Sequence, residues 1–335
     1  MHPTDAMPPN RNPKKVYGKK ELIDRIRESA DKLERDGSSR GDLKLLSRAL
    51  LELRYALKVF APYRRMRKVS VFGSARTTPD EPEYQHAVAF CKAIANRDWM
   101  VITGAASGIM EAGNLGAGRE NSLGLNIMLP FEQMANPVID GDDKLVHMKY
   151  FFTRKLMFVK ECHAVMCLPG GFGTLDEALE VLTLLQTGKR ELIPLVLLDV
   201  PGGTYWRGFC EFVRKELLGR GMISPEDESL FLLTDRVDQA VNELVTFYRV
   251  YHSMRYVRKH LVFRLHRALD TKTLVDINER FAGILVEGEI EQVEALPEEN
   301  DEPELADMTR LKFRFDRRSH GQLRDLVNAI NRLPN

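Results

Sequence analysis

A doubly wound, Rossmann-like parallel α/β sheet is the fold class this sequence predicts, with N-terminal helices before it and a small α+β appendage after it. Short apolar runs that stop at glycine or proline and helix-length segments between them predict the sheet, and a change of texture after about Tyr248 predicts the appendage. The runs are Val69–Phe72 before Gly73, Trp99–Thr103 before Gly104, Leu123–Leu129 before Pro130, Ala164–Leu168 before Pro169, and Ile193–Leu198 before Asp199. Runs that are apolar throughout suit strands covered on both faces, as parallel strands are. The intervening helical segments are Glu83 to Asn96, Gly108 to Arg119, Phe151 to Cys162, Thr174 to Thr187 and Tyr205 to Leu218. Ligands in such sheets collect at the carboxyl ends of the strands, where these glycines sit.

The predicted organisation has four parts. Residues 1–17 offer almost nothing to bury and read as a disordered tail, with no apolar segment that would make a signal peptide or membrane anchor. Residues 18–66 hold two helices, the second marked by a stripe of Leu43, Leu45, Leu46, Leu50, Leu51, Leu53 and Leu57 that needs a partner, either the main domain or another subunit. Residues 67–248 form the Rossmann-like domain, and residues 249–335 the appendage. In the appendage, alternation at Leu261–Leu265, Ile284–Ile290 and Leu311–Phe315 predicts three strands, with helices over Lys272 to Phe281 and Gln322 to Asn331. The acidic, proline-containing stretch Leu296 to Asp307 reads as a long exposed loop.

Bulk charge excludes some classes of partner. Lys plus Arg number 49 against 48 for Asp plus Glu, so neither nucleic acid nor an anionic membrane is the expected main partner. Cys91, Cys162, Cys167 and Cys210 form no C-x-x-C pair, which fits reduced thiols in a cytoplasmic protein. The eight histidines form no metal constellation, and nothing in the sequence calls for a metal or a cofactor.

The most informative segment is Leu168-Pro-Gly-Gly-Phe-Gly-Thr-Leu-Asp-Glu177. It follows a buried run and opens a helix, and its glycines let a ligand approach the main chain. A helix N-terminus adds unpaired N–H groups and positive potential, which suit a phosphate. A bare G-x-G is more often a turn, but three glycines between strand and helix favour phosphate. Thr174-Leu-Asp-Glu177 also has the form of a capping box, and from spacing alone that is the better reading of Glu177.

Pro169-Gly-Gly-x-Gly-Thr-x-x-Glu177 resembles the signature of the LOG (Lonely Guy) family, often labelled lysine decarboxylase-like, in its longer bacterial type. Phe151-Phe-Thr-Arg154-Lys155-Leu-Met, Gly73-Ser74-Ala75-Arg76, Gly108-Ile-Met-Glu-Ala112 and Gly124-Leu-Asn-Ile127 match in order, over roughly Lys68 to Val245. The resemblance implies hydrolysis of the N-glycosidic bond of a nucleoside 5′-monophosphate, AMP or a cytokinin-type nucleotide, by a homodimer or higher homo-oligomer. It implies Arg154 and Glu177 as the catalytic pair and Gly170, Gly171, Gly173 and Thr174 as the phosphate cradle. Gly73, Ser74, Gly104, Gly108, Lys155 and Pro169 complete the implied nucleotide-binding set. The alternative is a carrier or sensor that holds a nucleotide or a molybdenum-cofactor-like ligand without cleaving it. A decarboxylase would need a Schiff-base lysine, and neither Lys155 nor Lys160 has a context for one.

The chemistry is coherent in its own terms. Cleaving a ribosyl bond builds positive charge on the sugar, which a carboxylate such as Glu177 stabilises. Arg154 is charged and planar, able to hold a phosphate or to keep Glu177 ionised. Three positions depart from the family pattern. Ala105 and Ala106 stand in the second loop where glycines are usual, which predicts less room for a ligand, and Met128 stands where a glutamate is common. Arg76, Glu111, His147 and His163 carry weaker signals for which the residues themselves favour a structural role, and Asn126 is read equally well as structural or as pocket lining. Phe313 and Phe315 read as core, with Glu287, Glu289 and Glu291 facing Lys312 and Arg314 across strands.

Overall fold

The computed structural model of the chain describes residues 17–128 and 134–332. The tail expected over residues 1–17 lies outside them, apart from Tyr17. The chain divides into two compact units, one ending at Glu52 and the other beginning at Leu53. The first holds α1 (Lys19–Arg35) and the greater part of α2 (Arg40–Phe60). A reciprocal cap starts α2: the Ser39 hydroxyl accepts from Asp42 N–H at 3.2 Å, and the Asp42 carboxylate accepts from Ser39 N–H at 3.3 Å. Leu45, Leu46, Leu50 and Leu51 of that helix are exposed.

The second unit contains both sheets. The larger is a seven-stranded, wholly parallel sheet built from β1 (Lys68–Phe72), β2 (Met100–Thr103), β3 (Ser122–Ile127), β4 (Leu145–Met148), β5 (Ala164–Cys167), β6 (Leu195–Leu198) and β7 (Leu232–Thr234). Their order is β4-β3-β2-β1-β5-β6-β7, flanked by α3 (Pro82–Ala95), α4 (Ile109–Ala117), α5 (Phe151–Glu161), α6 (Phe172–Gln186), α7 (Tyr205–Phe212) and α8 (Val237–Phe247). The chain winds outward from β1 to β4, returns beside β1 as β5, and winds the other way. β1 and β5 therefore straddle the switch point, and their following loops part to leave a crevice. Two edge strands gave no sequence signal: β4 has exposed His147 in its middle, and two of the three residues of β7 are only half-buried. The single helix expected from Tyr205 to Leu218 ends as α-helix at Phe212 and continues through one π-helical turn, Val213–Leu218.

The C-terminal sheet has four antiparallel strands where three were expected: β8 (Tyr251–Val257), β9 (His260–Leu265), β10 (Glu291–Val293) and β11 (Thr309–Phe313), in the order β10-β11-β9-β8. Helices α9 (Thr271–Phe281) and α10 (His320–Asn331) accompany them. Ile284–Ile290 is not a strand. Its backbone turns at Gly288, whose φ is +71°, and only Leu285 bridges to Phe315. Phe313 and Phe315 are buried, and the cross-strand charge pairs form as Lys312–Glu291 at 2.6 Å and Arg314–Glu287.

The acidic loop is not wholly exposed. Arg264 and Arg310 face each other directly on β9 and β11, both buried, and two like charges so placed need an anion between them. Glu299 supplies it from that loop, at 2.9 Å from Arg264 Nη2 and 3.1 Å from Arg310 Nε, while also accepting from Leu296 N–H at 3.2 Å. Removing one member of a buried ion cluster strands the others. Glu299→Ala is expected to cost about 3–5 kcal/mol in urea unfolding, and a loss below about 1 kcal/mol would show that the loop is merely draped on the sheet.

Candidate active site

A cavity of about 800 Å³ opens at the carboxyl ends of β1, β2 and β5, the position the winding dictates. Its floor comes from the loops after β1 (Gly73 to Arg76) and β5 (Gly170 to Gly173), and α5 and α6 form its walls through Phe151, Arg154, Phe158, Thr174 and Glu177. Tyr205 from the start of α7 closes one side, its hydroxyl donating to the Gly170 carbonyl at 2.6 Å.

The local structure of the β5–α6 turn decides what Glu177 does. Helix α6 begins at Phe172, with Gly171 as an N-cap that has no side chain to offer. Thr174 N–H and Leu175 N–H both reach back to the Gly171 carbonyl, at 3.0 and 3.2 Å, so Thr174 is already inside the first turn. The capping box expected of Thr174 and Glu177 is therefore absent: the helix starts earlier than that spacing requires. An uncapped N-terminus leaves N–H groups and positive potential facing the cavity.

Freed from capping, Glu177 lies against the cavity wall. One carboxylate oxygen, Oε2, is buried without a hydrogen-bond partner, and the nearest cation, Lys155 Nζ, is 3.8 Å from it. Burial pushes its carboxyl up to about 7, against the opposing pull of Lys155 and Arg154 and with help from Asp176 and Glu180. Arg154 is anchored by its Nε, which donates to the Leu125 carbonyl of β3 at 2.7 Å. Among the described residues no carboxylate pairs directly with its guanidinium. Burial pushes it down to about 10, with Glu177 opposing, so it stays cationic at neutral pH.

The glycines expected to cradle phosphate divide by what they admit. A Cβ at Gly104 would stand 2.2 Å from Arg154 Nη2 and 2.5 Å from Met110 Sδ, so Gly104 makes room for the arginine. Gly73 gives way to the Ile109 side chain, and Gly108 (φ +67°) to the backbone of Ser74 and Ala75. Gly170 gives way to the Thr174 hydroxyl and to Ser74 N. Only Gly171 and Gly173 have open space where a side chain would be, and both line the cavity. Ser74 lines it too, while its N–H donates to the Pro169 carbonyl at 3.1 Å and its hydroxyl accepts from Arg76 N–H at 3.0 Å.

Three members of the expected set stand outside the lining. Gly108 and Pro169 join the two loops, and Lys155 faces the other flank of α6, 2.7 Å from Asp176 and 3.5 Å from Glu180. The second loop also departs from expectation. Ala105 adopts φ 58° and buries its methyl in a small cluster with Ala135, Ile139 and Leu145, and neither Ala105, Ala106 nor Met128 lines the cavity. The extra methyls thus take no ligand space. Met110, Phe151, Phe158 and Tyr205 are wall residues that the sequence reading passed over; Tyr205 lies 35 positions from Gly170 and has no motif to mark it.

Comparison with known proteins bears on the same segment. Residues 103–244 match the family model described as "Possible lysine decarboxylase". Over 91 residues the chain is 35% identical to cytokinin riboside 5′-monophosphate phosphoribohydrolase LOG3 of Arabidopsis thaliana, covering 27% of this chain and 40% of that one. The chain carries a LOG-family domain. A second relative of the LOG domain is the probable cytokinin riboside 5′-monophosphate phosphoribohydrolase LOGL3 of Oryza sativa subsp. japonica, 30% identical over 114 residues. That match covers 33% of this chain and 52% of the rice protein, so the chain spans about half or less of these relatives' length. Among solved structures, the molybdenum cofactor carrier protein of Chlamydomonas reinhardtii aligns at 20% identity with a TM-score of 0.38, over 53% of this chain and 94% of that one.

Because Glu177 in the folded LOG domain holds its proton to about pH 7, well above the ordinary value of 4.5, ionising it there works against folding. The penalty is absent below the unfolded value and is complete once pH has risen through about 7. Glu177→Gln should therefore raise Tm at pH 8, with the gain shrinking towards pH 5. A gain that is constant across that range, or a loss at pH 8, would contradict a buried, unpartnered carboxylate.

Proposed function

We propose that this protein hydrolyses the N-glycosidic bond of a nucleoside 5′-monophosphate, releasing free base and ribose 5-phosphate. The observation that carries the reading is the buried oxygen of Glu177 that no hydrogen bond satisfies, beside Arg154 and one helical turn from an uncapped helix N-terminus. Phosphate is held at Gly171 to Thr174, and Glu177 lies four residues beyond Gly173, about 6 Å along the helix. That offset suits the distance between a 5′-phosphate and its ribose ring. Ionised Glu177 stabilises the positive charge that grows at C1′ and orients the attacking water, while the base departs with a proton. Arg154 holds the carboxylate ionised in the bound state and keeps the site cationic for an anionic substrate. Phe151 and Tyr205 offer aromatic wall to a base.

Among the described residues the cavity lining contains no lysine on which a Schiff base to pyridoxal phosphate could form. The carrier reading drew on relatives of the fold that hold molybdenum cofactor without hydrolysing it and on the altered second loop; Ala105, Ala106 and Met128 lie outside the lining, which removes the second of these grounds. The exposed leucines of α2 suit a contact between copies of the chain, consistent with the homo-oligomer that the resemblance implies.

Incubation with a panel of nucleoside monophosphates should release free base from at least one, AMP first. Glu177→Ala should reduce that release on the order of 10³-fold while leaving the nucleotide bound; undiminished turnover would refute the assignment. In the wild type, kcat/KM should rise with pH through about 7 as Glu177 ionises. By light scattering the wild type should have at least a dimer's mass and Leu46→Glu/Leu50→Glu a smaller one. A monomeric wild type would contradict the contact.

A further inference from the structure

A second cavity of about 950 Å³ lies at the opposite pole of the parallel sheet, where β1, β5 and β6 begin and the appendage packs against them. Arg67 directly precedes β1, His163 precedes β5, and Leu192 and Ile193 lead into β6. His252 and Ser253 of β8, His266 after β9, and Glu304 of the acidic loop complete the far wall.

The cavity is strongly cationic. Arg64, Arg65, Arg67, Lys189 and Arg190 all line it, and among the described residues none of the five forms an ion pair. Arg67 Cζ sits over the Tyr248 ring, 3.6 Å from its centre, and Arg190 donates to the Cys162 carbonyl while its buried Nε has no hydrogen-bond partner. Lys160 is neutralised by Glu161. Against the five cations stand two carboxylates, Glu191 and Glu304, and burial pushes that of Glu191 upward. His163 is pushed down to about 3 and His252 to about 4, by burial first and then by Arg67 and other cations, so both stay neutral at physiological pH and neither answers the excess.

A fold that gathers five unpaired cations in one concavity incurs repulsion that a bound anion relieves. Four are guanidinium groups, whose planar forks suit phosphate oxygens two at a time. Five positive groups exceed what one phosphate can engage, and the volume is that of a small-molecule site. We propose that this cavity binds a chain of two or more phosphates, either as a free oligophosphate or as the 5′ end of a nucleoside di- or triphosphate. The site is separate from the cavity that holds Glu177, and the inference does not depend on what that cavity catalyses.

Titration calorimetry of the full chain with tripolyphosphate, ATP and AMP tests it. Tripolyphosphate should bind the wild type, Arg64→Ser/Arg65→Ser/Lys189→Ser should weaken it by at least about tenfold, and Arg154→Met should leave it within about twofold. Arg64, Arg65 and Lys189 are exposed, so the fold should survive; should the triple variant be unstable, Arg64→Ser/Arg65→Ser reads the same loss. ATP binding tighter than tripolyphosphate identifies a nucleotide as the ligand, and equal affinity identifies the phosphate chain alone. No tripolyphosphate binding, wild-type affinity in the serine variants, or loss of affinity in Arg154→Met would each overturn the proposal.

Discussion

Helix α6 starts at a glycine that cannot cap it, and the candidate site follows from that constraint. With Gly171 at the N-cap position, no side chain among the described residues caps the first N–H groups, and the helix end keeps positive potential towards the cavity. The same starting point places Thr174 within the first turn, where its hydroxyl packs over Gly170, and so removes the reason for Glu177 to fold back on the backbone. Glu177 is then buried against the cavity with an oxygen unsatisfied. A cap one turn later would satisfy both groups and extinguish the site.

Arg154 depends on a second constraint of the same kind. Its guanidinium crosses the end of β2 only because Gly104 has no side chain there, and it is fixed by a carbonyl of β3. Glycines of the loops thus serve mostly to let protein approach protein. Helix α5 carries Arg154 near its start, while its last turn supplies Val159 and Lys160 to the cationic cavity at the other pole of the sheet. One short helix therefore touches both cavities.

The parallel core was legible because its inner strands are apolar runs that, all but β6, end at glycine or proline, and the loops after β1 and β5 carried the site residues in order. Edge strands β4 and β7 were not legible, since exposure breaks the apolar run, and Gly288 turned an alternating segment into a loop. Glu177 could be named but not assigned, because Thr-x-x-Glu spacing is the same for a cap and for a free carboxylate; only the helix start separates them. Glu299 hid in an acidic stretch whose composition suggests solvent, although two facing arginines required it inside. Long-range neighbours such as Tyr205 and Gly170 leave no trace in spacing.

Glu177 lines the cavity and does not cap its own helix. Infrared difference spectra of wild type minus Glu177→Gln isolate the carboxyl stretch of that one side chain. The expected spectrum shows a protonated carboxyl that titrates near pH 7 and whose band shifts when ribose 5-phosphate is added. A carboxyl that titrates at its ordinary value near 4.5, and a band unmoved by ribose 5-phosphate, would contradict it.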